Sequence, residues 1–210
     1  MCYSVNTSIT SYLIGMISAI AALYTRQYIL GMLILCYCQV QLAEAIIWKG
    51  IDTDNLTLNR LGTLYAKYTL PAHLMATGLG VWMTTGDVRP LVVGIIFYVG
   101  VIGFYLYDRK NDGLSFPPNR ECMKRECQTN ENRLKWPFRD QWYMIQTAIL
   151  FIVFFIYLPK RSSILLAGFF SITFVISKMM YTWTASSIWC FLSAVLAPLL
   201  VAINYILIKE

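Results

Sequence analysis

Long apolar runs alternate with short polar ones along this chain. Stretches near 9–25, 28–48, 61–84, 89–107, 141–158, 163–183 and 187–208 are mainly apolar. Each is close to the roughly 20 residues that cross a bilayer at about 1.5 Å rise per residue. The pattern predicts an all-α bundle of seven transmembrane helices, with 1–210 forming a single integral membrane domain. Only one polar segment is long, 108–140, between the fourth and fifth helices. The other connections are short, such as Thr25–Gln27 and Pro159–Ser162, and short connections make neighbouring helices antiparallel partners. The layout is three helices, one helix, the long loop, then three helices. Leu30-Gly31 and Trp48 bracket helix 2, Ala167-Gly168 and Trp183 bracket helix 6, and helices 3 and 7 carry Pro71 and Pro198. These echoes suggest a 3+1+3 pseudo-repeat, a parallel arrangement known from small carriers.

Composition strengthens the membrane reading. The chain is 58% hydrophobic and 13% charged, where soluble domains average about 45–50% and about 25%; its mean hydropathy is +0.57. The first stretch follows "MCYSVNTS", which has no Lys or Arg, and is read as a retained span rather than a cleaved signal. The net charge of +6 sits mostly in the connections, where it sets topology or meets lipid headgroups. No nucleic-acid motif is present, so nucleic acid is not an expected partner.

The six tryptophans lie near helix ends and serve as depth markers, since tryptophan favours the headgroup level. All but Trp82 fall on the side shared by the N-terminus and the loops after helices 2, 4 and 6. We name this side face A and its opposite face B. Face A carries ten Lys and Arg and face B five, which points face A to the cytosol. Cys2, Cys122, Cys127 and Cys190 also gather on or near face A. They are either two disulfides of an oxidising compartment or four separate thiols. Two sequons, at Asn6 and Asn55, share that side but lie close to the membrane. The cysteines and sequons lean face A out of the cytosol.

Helix 2 contains the unexpected chemistry. In "CYCQVQLAEAIIWKG", Tyr37, Gln41, Glu44 and Trp48 fall on one helical stripe. An unpaired charge in hydrocarbon costs several kcal/mol, so such a stripe faces other helices or water. Helical rise places Glu44 about 6 Å below face A, Lys178 about 7–8 Å and Lys67 roughly 9 Å. The agreement predicts a cluster of Gln41, Glu44, Lys67 and Lys178, rimmed by Tyr65, Tyr68 and Tyr181. One carboxylate with two ammoniums leaves net positive charge, suited to a polar or anionic solute. The alternative is an ion pair that fixes helix register. His73, the only histidine, lies near the midplane just after Pro71. It is either a proton relay or a neutral ring bonded to a carbonyl freed by the proline.

Other features carry less. Cys36 and Cys38 point about 200° apart on a helix and have no partner ligand nearby. No second Cys or His pair follows Cys122 and Cys127, so no metal site is expected. Gly78, Gly80, Gly94, Gly100 and Gly103 are expected to allow close helix packing. A retinal protein needs a lysine inside the last helix, and Lys209 lies at its very end. One histidine and no clustered carboxylates argue against an intramembrane hydrolase. No enzymatic activity and no cofactor are expected.

The segments "MCYS", "QLAEAIIW" and "SSIWC" resemble an uncharacterised family of multipass membrane proteins of large DNA viruses of protists and algae. The matching positions are Cys2, Ser4, Gln41, Leu42, Glu44, Trp48, Trp189 and Cys190. Tyr3 stands where that pattern has Trp, and Leu70 stands where it has Gln before Pro71. The resemblance implies seven helices, a virion or host membrane, and Cys2 close to or bonded with Cys190. It supplies no activity.

The sequence therefore leads to a multipass membrane protein, read first as a small transporter or channel for a polar or anionic solute. The competing reading is a non-transporting membrane component that docks partners through 108–140. Membrane lipid, the solute and further copies of the chain are the partners these readings admit.

Overall fold

The computed structural model describes residues 4–107, 113–115, 121–122, 127–128, 134, 142–180 and 185–209. They are almost wholly helical: α1 (Val5–Tyr24), α2 (Tyr28–Asp52), α3 (Leu56–Thr69), a 3-10 turn (Leu70–Ala72), α4 (His73–Thr85), α5 (Arg89–Tyr107), α6 (Trp142–Tyr157), α7 (Lys160–Met180), α8 (Ala185–Val195) and α9 (Ala197–Lys209). Within the long loop, Glu121–Cys122 pairs antiparallel with Cys127–Gln128, setting the backbones of Cys122 and Cys127 opposite each other.

Among the described residues, α1, α2, α5 and α7 are long and apolar enough to cross a bilayer. The α8–α9 pair, bent by 54°, makes a fifth span if taken as one. Seven clear spans are thus not what the helix lengths display. The third expected stretch is broken, because Pro71 cannot donate the next helical hydrogen bond. Its first part, α3, is also polar, with Asn59, Arg60 and Lys67 in 14 residues. The fifth stretch forms 16 helical residues, about 24 Å long against a hydrocarbon core of about 30 Å. Pro198 likewise breaks the last stretch, just after Leu196.

Helix α2 is the central rod, with 67% of its apolar window buried against 33% for α7. The helices paired by the 3+1+3 echo thus have different surroundings. Helix α1 can lie close to α2 because small residues line its inner face: Ser8, Ser11, Gly15, Ser18 and Ala22 are buried. A Cβ at Gly15 would come within 2.6 Å of Cys38 Cβ. Gly78 and Gly94 do the same between α4 and α5, and Gly80 against α2, as expected. Gly100 and Gly103 face open space instead.

Side chains close the ends. Ser4 Oγ accepts from Thr7 N–H and Asn55 Oδ1 from Leu58 N–H, capping α1 and α3. Gly86, at φ 76°, ends α4 in the left-handed conformation that glycine adopts without strain. Its neighbour Asp87 receives Arg89 Nη2 at 2.6 Å and Tyr157 OH at 2.6 Å, tying the α4–α5 turn to the end of α6 on face B. The Arg89 guanidinium, then the Tyr157 hydroxyl, hold the Asp87 carboxyl well below the usual carboxylate range.

The candidate functional site: a buried polar network

The polar atoms of α2 divide between two neighbours. Gln41 Oε1 accepts from Ser11 Oγ at 2.8 Å, and Gln41 Nε2 donates to Glu44 Oε2 at 3.2 Å. This chain of bonds joins α1 to α2 in the interior, where Gln41 and Glu44 are 0% and Ser11 is 1% exposed. On another side of α2, Gln39 Oε1 accepts from Tyr65 OH at 2.7 Å, linking α2 to α3. A bond of this kind between membrane helices contributes about 0.6–1.7 kcal/mol.

Of the three expected charges, Glu44 and Lys67 are buried and Lys178 is not. Lys67 is buried at the end of α3, its Nζ 4.9 Å from the centroid of the Tyr105 ring of α5. That distance suits a cation–π contact, which strengthens where water is excluded. Lys178 is exposed on α7, its Nζ 5.9 Å from the Phe174 ring of its own helix. Lys178 thus points outward, away from the interior that encloses Glu44 and Lys67. Helical rise supplied the depth but not the azimuth around each helix axis, and Lys178 lies on the outer face of α7. Tyr181 and Cys2 lie outside the described residues, so their places in the rim and in the Cys2–Cys190 pair do too. Cys190 is buried on α8.

Beneath the network the interior is filled with rings. Tyr37 lies against His73, centroid to centroid 4.1 Å, and against Phe170 at 5.4 Å. Tyr143 meets Trp189 edge to face at 5.3 Å, and Phe174 meets it at 5.0 Å. Trp189, read as a headgroup marker, is instead 1% exposed, its Nε1 donating to Thr173 Oγ1 at 2.9 Å. His73 Nδ1 lies 2.7 Å from the Leu70 carbonyl oxygen, at the helix break made by Pro71. A carbonyl only accepts, so Nδ1 carries the proton and Nε2 bears a lone pair. Gln146 Nε2 donates to the same carbonyl at 3.2 Å. His73 Nε2 and Gln146 Oε1 are left as buried acceptors without a hydrogen-bond partner.

The long loop reaches back over this region, which the sequence did not reveal. The Asn59 carboxamide makes a two-way pair with Ser115: Nδ2 donates to its carbonyl at 2.8 Å, and Oδ1 accepts its N–H at 3.0 Å. Thr63 Oγ1 and Ser115 Oγ are 2.8 Å apart. Leu134 packs on Ile47 and Trp48, the last turn but one of α2. Ser115 and Leu134 are 0% and 1% exposed. Two separate points of the loop thus press on α2 and α3 at the face A side of Glu44. Ser11 was also missed, although the small-residue spacing Ser8, Ser11, Gly15, Ser18 marked the face of α1 that meets α2.

No protein-family model matches the chain, and neither a curated protein nor a solved structure matches it significantly.

Proposed function

We propose that the chain is a non-transporting multipass membrane protein that crosses the bilayer seven times and works through its face A surface. In this reading the Ser11–Gln41–Glu44 network holds α1 to α2, and 108–140 presents the docking surface. The observation that carries it is the complete burial of Gln41 and Glu44, with Ser115 and Leu134 packed on the face A side. A polar group that receives a solute needs a route to water, whereas one that locks helices needs only partners. The close aromatic packing of Tyr37, His73, Phe170 and Trp189 favours the same view. Seven crossings require Leu56–Thr85, unbroken in chain though kinked, to act as one span, and α6 to thin the bilayer around it. The "MCYS", "QLAEAIIW" and "SSIWC" segments support a virion or host membrane as its location.

A carrier or channel for a polar or anionic solute is the second reading, favoured by the unpartnered His73 Nε2 and Gln146 Oε1. There the loop would act as a lid over an occluded interior. Ser11→Cys separates the two, because the substitution nearly conserves volume beside Gln41. A membrane-impermeant methanethiosulfonate added to either side of reconstituted vesicles should leave this position unmodified while it labels Thr53→Cys, an exposed control. Modification of Ser11→Cys from face A, at a rate near that of the control, would overturn the non-transporting reading in favour of the carrier.

A further inference from the structure

A groove of about 390 Å³ between α1 and α9 takes no part in the polar network. Its α1 wall is Ile14, Ile17, Ser18 and Ala21, and its α9 wall is Pro198, Val201, Ala202 and Tyr205. Both sets have the three- and four-residue spacing of a single helix stripe. The α1 wall, extended to Thr25, runs about 16 Å along the helix axis. Thr25 and Gln27 close the face B end.

The walls offer little to a polar solute. Ser18 Oγ already donates to the Ile14 carbonyl at 2.7 Å, and Thr25 Oγ1 to that of Ala21 at 2.8 Å. The Gln27 carboxamide is held by Thr25, Val201 and Asn204. The surroundings are exposed and apolar, Ile17 at 68% and Ile206 at 57%. The mouth is cationic. Arg26 stands exposed between Thr25 and Gln27, its φ of 60° set by the tight α1–α2 turn. Lys209 Nζ sits 4.3 Å from the centroid of the Tyr205 ring, which forms part of the groove wall. Asp87, on the same face, is engaged by Arg89; Glu210 lies outside the described residues.

We propose that this groove holds one acyl chain of an anionic phospholipid, whose phosphate is bound at face B by Arg26 and Lys209. The apolar stripes select a chain, and the paired cations select the charge of its headgroup. The cysteines and sequons lean face B toward the cytosol, against the Lys and Arg count, and anionic lipids are enriched in the cytosolic leaflet. The proposal rests on the chain lying in a bilayer and is independent of whether Ser11 is reached by water.

Native mass spectrometry tests it on the full-length protein extracted in mild detergent from vesicles of equal phosphatidylglycerol and phosphatidylcholine. One retained lipid per chain is expected, with phosphatidylglycerol favoured about 25-fold, roughly five-fold for each cation near an anionic headgroup. Arg26→Gln with Lys209→Gln should erase the preference while a lipid is still retained. Ala202→Trp, or separately Ile17→Trp, should remove the retained lipid of both classes. Both tryptophan sites are exposed, and circular dichroism of each variant is the check that it folds. Equal retention of the two lipids by the wild type, no lipid retained at all, or unchanged retention in every variant would overturn the proposal and leave an adventitious additive only. Displacement of the adduct by inorganic phosphate would also overturn it, assigning the mouth to a free anion.

Discussion

The third and sixth apolar stretches each carry a lysine, and helical rise sets the two at nearly equal depth below face A. They end in opposite environments. Lys67 is enclosed, its ammonium against the Tyr105 ring, while Lys178 is exposed beside Phe174 of its own helix. The difference lies in which neighbour each helix has. The lysine end of α3 packs on α2, and the α4–α5 pair closes around its continuation. Helix α7 keeps a wide outer face, with Ile172, Val175, Ile176 and Met179 exposed around Lys178. Depth is set by position along the chain, but enclosure depends on the azimuth of a side chain and on what lies across from it.

The sharpest way to break this contrast is to treat Lys178 as the partner of Glu44. Glu44→Lys should destabilise the protein by about 3–5 kcal/mol, because a wrong charge enters a closed site. Adding Lys178→Glu should recover none of that loss in thermal unfolding followed in detergent. Recovery by the double variant would restore the converging cluster. Next in size, Lys67→Ala should cost about 2–4 kcal/mol through lost packing and the lost cation–π contact, against less than about 0.5 kcal/mol for Lys178→Ala. Similar losses in the two variants would erase the contrast between the spans. A smaller effect is expected from Ser11→Ala, about 1 kcal/mol, since the Ser11 hydrogen bond to Gln41 Oε1 is then lost. The coupling between Ser11→Ala and Gln41→Leu in a double-mutant cycle should account for most of it.

The mildest contrast sets a carboxylate that meets water against the buried one. The folded protein holds the Asp87 carboxyl below its ordinary value. Its stabilising contribution is therefore present above pH about 4, the unfolded value, and is lost as the pH falls below that through the lower folded value. Asp87→Asn should melt slightly below the wild type at pH 7, and the gap should close on acidification. A gap that holds at low pH would show that the Arg89 and Tyr157 contacts act without the charge.

The helical, membrane-compatible fold was legible because apolar run length is a property of the chain itself. The carbonyl freed at Pro71 was legible for the same reason, since a missing N–H acts locally, whereas Pro198 was read only as an echo of Pro71 and not as a break. Glu44 and Gln41 were recognised as interior because hydrocarbon tolerates such groups only when they are enclosed. Placing Lys178 was beyond the pattern, since the sixth stretch is apolar around much of its circumference and shows no preferred inner face. The seven-span count outran the helices because α3 is polar and α6 is short. Ser115 and Leu134 had no local signature, as their contacts with α3 and α2 span 52 residues or more. The role of Trp189 was inverted, because the ring that marks a membrane surface also fills a core when a hydroxyl such as that of Thr173 takes its N–H.

The central claim is that water does not reach the polar network of α2. Hydrogen exchange of the Gln41 side-chain amide, followed by NMR on protein carrying nitrogen-15 glutamine, reads this directly. Gln41 Nε2 is expected to keep its protons long after a free glutamine amide has exchanged into deuterated buffer. Exchange of Gln41 as fast as the free amide, in folded protein, would mean an open, wet interior and would contradict it.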